Sequence, residues 1–151
     1  MLQNELGALL RNHLLEQGGP CAVATTPGIV PHVQAKFNMR IPDLAVTCTE
    51  YEMEEAALSN PVLIVEILSP SNQTETWSNV WTYTTIPSVQ EILVLFSIKI
   101  GADLLRRRED GSWPQEPERI TDGDLILQSI SFRTPLAAIY RTTRLRRPAG
   151  E

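Results

Sequence analysis

Two carboxylates stand where buried strands are expected to be apolar: Asp43 in RIPDLAVTC, just before Leu44-Ala45-Val46, and Glu66 inside the run Val62 to Leu68. An isolated ionised carboxylate in a dry core costs several kcal/mol or more, so each must be paired, hydrogen-bonded, protonated or bound to a cation. Two strands that each carry one inward acid can hold a divalent ion between them. Carboxylate oxygens suit the hard ions Mg2+ and Mn2+, which keep several waters and bridge to a substrate phosphate. The chemistry of such a pair is metal-assisted phosphodiester hydrolysis. The bland alternative is equally concrete: Asp43 caps a turn after Pro42, and Glu66 pairs with a nearby arginine such as Arg40.

The elements that must position these acids follow from hydrophobic spacing. Leu2, Leu6, Leu9, Leu10 and Leu14 recur at helical intervals until Gly18-Gly19-Pro20, which predicts an amphipathic helix over 2–17. Short strands are expected at Cys21–Thr26, Val33–Phe37 and Ile41–Cys48, then an acidic exposed connection over Thr49–Ser59. Pro61–Ser69 is apolar on both faces, as in the centre of a covered sheet, with Val62, Ile64, Glu66 and Leu68 on one side. Asn72 and Glu75 have capping-box spacing and open a helix running to about Thr84. Strands at Val89–Ser97, Ala102–Arg108, Leu125–Leu127 and Ile130–Phe132 follow, and Pro135 starts a closing helix, Leu136 to about Thr143. The fold class is α/β, a mixed sheet flanked by helices, in one domain over 1–151. Its core spans about 2–108, with C-terminal strands and a helix over 120–143.

Composition narrows the classes of function. The 151 residues are 42% hydrophobic and carry a net charge of -5, enough for a single core and without the overall basicity of a polyanion binder. No stretch reaches the roughly 18 apolar residues of a membrane span, and the N-terminus has no signal-peptide pattern, so a cytoplasmic protein without a membrane partner is expected. Cys21 and Cys48 lack metal or CxxC spacing and read as small buried hydrophobes in a reducing compartment. His13 and His32 have no ligand-spaced partner, and Ser69 and Ser71 have no nearby histidine. Arg106-Arg107-Arg108 and Arg141, Arg144, Arg146 and Arg147 read either as solvated chain ends or as contacts to a phosphate backbone.

RIPDLAV, LIVEILSPSN and ETWSNVWTYTTIPSVQEILVL, in that order, resemble the Uma-two family of restriction endonucleases, a branch of the PD-(D/E)XK nuclease superfamily. The family pattern has a Pro-Asp strand, an E-V-L-S-P-S strand end, a helix with Asp and Lys one turn apart followed by Tyr, and then IPSV.EYLLVD. The resemblance is good over about 38–96. It implies a restriction-endonuclease-like αβββαβ core, a DNA substrate, and a Mg2+ site, with Mn2+ as substitute, at Asp43 and Glu66.

Departures from the pattern bear on catalysis. The superfamily's lysine, two residues after the acid, is Leu68 here. The family's helix lysine falls on Asn79, while the helix acid is kept as Glu75, with Tyr83 one turn beyond Asn79. Glu75, Asn79 and Tyr83 are expected on one helical face, with Trp77, Val80 and Trp81 on the other, against the sheet. Only Lys36 and Lys99 could serve a lysine-dependent step, and Lys36, on the strand before Asp43, is the candidate. Arg40 could stabilise charge but is a poor proton acceptor. Family members also carry a YELIDGE-like segment ahead of the first helix. This chain begins after that point, which implies a shortened form or an edge supplied by another chain. Three readings follow: a Mg2+-dependent endonuclease-like domain with Asp43, Glu66, Glu75, Asn79 and Lys36 at its site; a catalytically degenerate fold that binds nucleic acid or protein; and a structural homodimer.

Overall fold

The computed structural model describes residues 1–30, 39–50 and 57–145. Helix α1 (Leu2–Gln17) is followed by strands β1 (Ala22–Thr25), β2 (Leu44–Thr47) and β3 (Pro61–Leu68), helix α2 (Gln73–Tyr83), and strands β4 (Glu91–Phe96), β5 (Ala102–Arg106) and β6 (Glu118–Ile120). The chain then forms β7 (Asp124–Leu127), a 3-10 turn, β8 (Phe132–Pro135) and α3 (Leu136–Ile139). Strands β1 to β6 make one sheet in sequence order, antiparallel throughout except for the parallel pair β3 and β4, which α2 connects. A parallel pair requires such a crossover, and this one lays α2 across one face of the sheet.

Strand alternation divides the core into two layers. Leu63, Val65, Leu93 and Leu95 face α1, whose Leu2, Leu6, Leu10 and Leu14 are buried on them together with the β7–β8 hairpin and α3. Ala45, Ile64, Ile92, Val94 and Leu105 face the other way and pack on Val80 and Tyr83 of α2 and on Ile29. Because both faces are covered, the central strands β3 and β4 read as continuous apolar runs, as their sequence implies.

The Val33–Phe37 strand and Lys36 lie outside the described residues, as does most of the acidic connection. Where that connection is described, Leu58 is buried and its N–H donates to the Gly28 carbonyl at 2.7 Å, so this end belongs to the core and is not an exposed link. The Asn72–Glu75 capping box does not form. Asn72 precedes α2, but its Oδ1 accepts from the Ser69 N–H at 2.8 Å and ties the helix start back to the end of β3. The closing helix stops at Ile139 because Tyr140 turns inward, its hydroxyl lying 2.6 Å from the Phe96 carbonyl and 2.8 Å from that of Gly101.

The cysteines are also corrected. Ala22 pairs with Thr47, so one step outward Cys21 faces Cys48, and the two form a disulfide across the β1–β2 edge. The two cysteines are therefore paired with each other and are not separate buried thiols. No helix among the described residues is long and apolar enough to cross a membrane.

Glu91 is a buried acid that strand pattern alone did not flag. Its carboxylate accepts from Arg106 Nε at 3.0 Å, Gln128 N at 3.1 Å and Ser129 N at 2.6 Å, fastening the main sheet to the 3-10 turn before β8. Removing one partner of a buried charge network is costly because the others lose their acceptor. Glu91→Ala is expected to lower stability by about 3 kcal/mol, and Glu91→Gln by less, as read from urea midpoints at unchanged m.

Candidate metal and phosphodiester site

The β2–β3 register brings the two sequence acids together. Leu44 pairs with Val65 and Ala45 with Ile64 in an antiparallel ladder, so the next step places Asp43 beside Glu66. Cross-strand neighbours have Cβ atoms about 4.5–5.5 Å apart on one face, here the face covered by α2. Asp43 is half-buried and its Oδ2 accepts from the Ile67 N–H at 2.7 Å. Glu66 is 7% exposed and its Oε1 accepts from the Tyr83 hydroxyl at 3.2 Å. One oxygen of each carboxylate, Asp43 Oδ1 and Glu66 Oε2, has no hydrogen-bond partner among the described residues.

Electrostatics at this pair are unfavourable. Burial, then the neighbouring Asp43 carboxylate and more weakly Glu75, push the Glu66 carboxyl up to about 8, against the Tyr83 hydrogen bond that pulls it down. Burial and the Glu66 charge in turn push the Tyr83 phenol far above its ordinary value, so Tyr83 stays a donor. None of the ion pairs among the described residues involves Asp43 or Glu66, which removes the Arg40–Glu66 alternative. Arg40 is nevertheless close enough to ease ionisation of Tyr83, and its buried Nε has no hydrogen-bond partner among the described residues.

The remaining expected residues are placed as follows. Glu75 is exposed on the first turn of α2, within electrostatic reach of Glu66. Asn79 is half-buried one turn further along. The helix is rotated relative to expectation: Thr76, Val80 and Tyr83 form the buried face, while Trp81 is 41% exposed. The bulk of Trp81 suggested a core contact, but only Tyr83 can reach the Glu66 carboxylate with a polar tip. His13 is structural, with Nε2 2.7 Å from the Ile130 carbonyl and its ring edge-on to Phe132. The Arg106–Arg108 run is committed internally: Arg106 to Glu91, Arg107 to the carbonyls of Val89, Ile86 and Gly111, and Arg108 to Ser112. Arg141 pairs with Glu5.

Sequence reasoning missed a second acid of the same kind. Asp103 interrupts the apolar strand β5 as Glu66 interrupts β3, and Arg119 of β6 forks onto it with bonds of 2.9 and 3.1 Å. The registers set Glu66 beside Val94, Val94 beside Asp103 and Asp103 beside Arg119. Asp43, Glu66, Val94, Asp103 and Arg119 therefore form one row across the α2 face of the sheet. The lone Asp in Ala102–Arg106 was the available signal.

A mixed sheet with a β3–α2–β4 crossover, helices on both faces and an acid pair at the end of its central strands is a nuclease-like fold of the PD-(D/E)XK type. The chain belongs to the Uma2 family, described as "Putative restriction endonuclease", whose profile matches residues 2–135. It is 30% identical over 138 residues to an uncharacterised protein of Synechocystis sp. (slr1290), covering 90% of this chain and 70% of that one. The crystal structure of a "putative nuclease belonging to DUF820" from Anabaena variabilis superposes with a TM-score of 0.72 at 16% identity, over 92% of this chain and 78% of that one. That likeness bears on the fold.

The donor set fits a small hard cation. Among the described residues each of the two adjacent carboxylates has one oxygen without a partner and neither has an ion pair to offset their mutual repulsion, which a bound dication would relieve. Among the described residues no group of three or more acid, histidine or cysteine side chains gathers, so a cation held there would have Asp43 and Glu66 as its ligands from those residues. The Tyr83 hydroxyl sits behind Glu66 and orients it. Tyr83→Phe, which keeps the ring and its packing, is expected to weaken Mn2+ binding about 10-fold at pH 7, because Glu66 then holds its proton more tightly. Calorimetric titration checks this, with an unchanged thermal midpoint as the sign that the fold is intact.

Proposed function

We propose that the protein is a Mg2+-dependent endonuclease-like hydrolase of DNA phosphodiester bonds, with Mn2+ able to substitute, and that Asp43 and Glu66 hold the ion. The observation that carries this reading is the side-by-side placement of the two carboxylates, each with one oxygen unpartnered among the described residues, in a setting that drives Glu66 toward protonation when no cation is present. A bound ion would polarise the phosphoryl oxygens and lower the pKa of a water ligand. The chain's own groups do the rest. Tyr83 orients Glu66, Arg40 supplies positive charge near the pair, and the half-buried Asn79 of α2 is available to position water. Lys36, outside the described residues, remains the candidate lysine.

A second reading, a catalytically degenerate fold that binds nucleic acid or protein, is favoured by one observation: Leu68 occupies the strand position where the superfamily has its lysine, on the same face as Glu66. Incubation with supercoiled plasmid and Mg2+ or Mn2+ separates the two. The hydrolase reading expects nicking or linearisation that falls by about 10²-fold or more in Asp43→Ala and Glu66→Ala, exceeding what loss of a supporting contact costs. Equal cleavage by wild type and both variants, or none by any, contradicts it.

A further inference from the structure

On the α2 side of the sheet, next to the acid pair, lies a cavity of about 260 Å3 bordered by Leu68, Ser69, Gln73, Trp77, Phe96 and Lys99, with Asp103 and Arg119 closing it. We infer that this cavity is a subsite for a backbone phosphate of the DNA strand adjacent to the scissile one, with Lys99 as its charged contact; the inference rests on the hydrolase reading above.

Three features of the cavity support the assignment. Its charge is set by two cations held around one ring: Lys99 Nζ lies 5.2 Å and the Arg119 guanidinium 5.1 Å from the Phe96 centroid. Arg119 is neutralised by its two bonds to Asp103, whereas Lys99, the one lysine among the described residues, has no ion-pair partner there. The lining therefore carries one net positive charge, opposite in sign to the acid pair.

Its position is fixed by register. Leu68 pairs with Phe96, one alternation beyond Glu66 and Val94, so the cavity begins where the acid pair ends and on the same face. Asp103 is two strands from Glu66 in the shared row, a separation on the order of 10 Å at ordinary strand spacing. Lys99, on the β4–β5 turn beyond Phe96, borders this cavity together with Leu68 and is suitably placed for a neighbouring phosphate.

The floor is rigid. A Cβ on Gly101 would come within 2.7 Å of the Phe96 ring, so glycine there lets the β4–β5 turn close onto the ring that carries both cations. Trp77, half-buried on α2, adds an aromatic side chain to the lining. Charge plus an aromatic side chain is the combination by which proteins track a nucleic-acid strand.

The test uses a fluorescein-labelled 12-base-pair DNA duplex and anisotropy in buffers of graded salt, with Ca2+ present, for wild type, Lys99→Ala and Lys99→Arg. Lys99 is exposed, so its replacement spares the core. The expected result is about 3- to 10-fold weaker binding for Lys99→Ala, with the slope of log affinity against log salt smaller by about 0.9, and recovery of both in Lys99→Arg. Inorganic phosphate at millimolar concentration is expected to compete with the duplex in wild type and not in Lys99→Ala. Equal affinity and equal slope for wild type and Lys99→Ala would overturn the subsite, and continued plasmid cleavage by both would show that the hydrolase reading survives it. Absence of duplex binding by wild type would also overturn the subsite, with Mn2+ binding at Asp43 and Glu66, measured separately, deciding whether the metal site stands.

Discussion

Metal-free wild-type protein is expected to lose stability as pH rises from about 5 to 9, and Glu66→Gln is expected not to. The Glu66 carboxyl is raised from near 4.5 to about 8 by burial and by Asp43. Between those values the folded protein binds a proton that the unfolded chain does not, so stability falls with pH across the window. The favourable contribution is complete below about 4.5 and is lost as pH passes through about 8. A shift of that size corresponds to roughly 3–5 kcal/mol, and for a chain of this length about 1 kcal/mol moves the thermal midpoint by about 2–4 °C. The wild-type midpoint should therefore drop by about 10 °C relative to Glu66→Gln between pH 5 and pH 9 in EDTA. Glutamine keeps the acceptor for the Tyr83 hydroxyl and never acquires the charge. Asp43→Asn should flatten the wild-type curve in part, because it removes the second cause of the shift. Parallel pH curves for wild type and Glu66→Gln, measured by calorimetry or circular dichroism, would show that Glu66 does not carry the strain.

The acid pair was legible in the sequence because a carboxylate inside an apolar strand is conspicuous against its neighbours, and both Asp43 and Glu66 stand in such runs. The central strands were legible for the same reason: covered on both faces, β3 and β4 leave no polar alternation to confuse. What was illegible depends on register or rotation. The Cys21–Cys48 bond needs β1 and β2 aligned so that Ala22 meets Thr47, and neither cysteine's local sequence encodes that alignment. Tyr83 and Trp81 stand on nearly opposite sides of the helix, and apolar bulk pointed to the wrong one. Strand β6 is an edge strand whose Glu118 and Arg119 are both exposed, so it has no apolar signature. Asp103 stands out in β5 as Glu66 does in β3, but its partner Arg119 lies beyond a proline-rich loop and is set opposite it only by the sheet.

The second large effect concerns the cation itself. A dication at the pair must displace the Glu66 proton below about pH 8, so apparent affinity should rise about 10-fold per pH unit from 6 toward 8 and then level off. The same ion should reverse the alkaline instability: saturating Mn2+ at pH 9 is expected to raise the wild-type midpoint and to leave that of Glu66→Gln unchanged. Mass action sets the size, about 2.7 kcal/mol when the ion is present at 100 times its dissociation constant. Asp43→Asn preserves an oxygen acceptor for the Ile67 N–H and so is expected to fold, yet it removes one of the two charges that hold the ion.

The most direct measurement is therefore calorimetric titration of Mn2+ into wild-type, Asp43→Asn and Glu66→Gln proteins at pH 6, 7 and 8. One site per chain in the wild type, tightening with pH and lost in both variants, is the predicted result; binding that is absent in the wild type, or that persists unchanged in Glu66→Gln, would contradict a metal centre at Asp43 and Glu66.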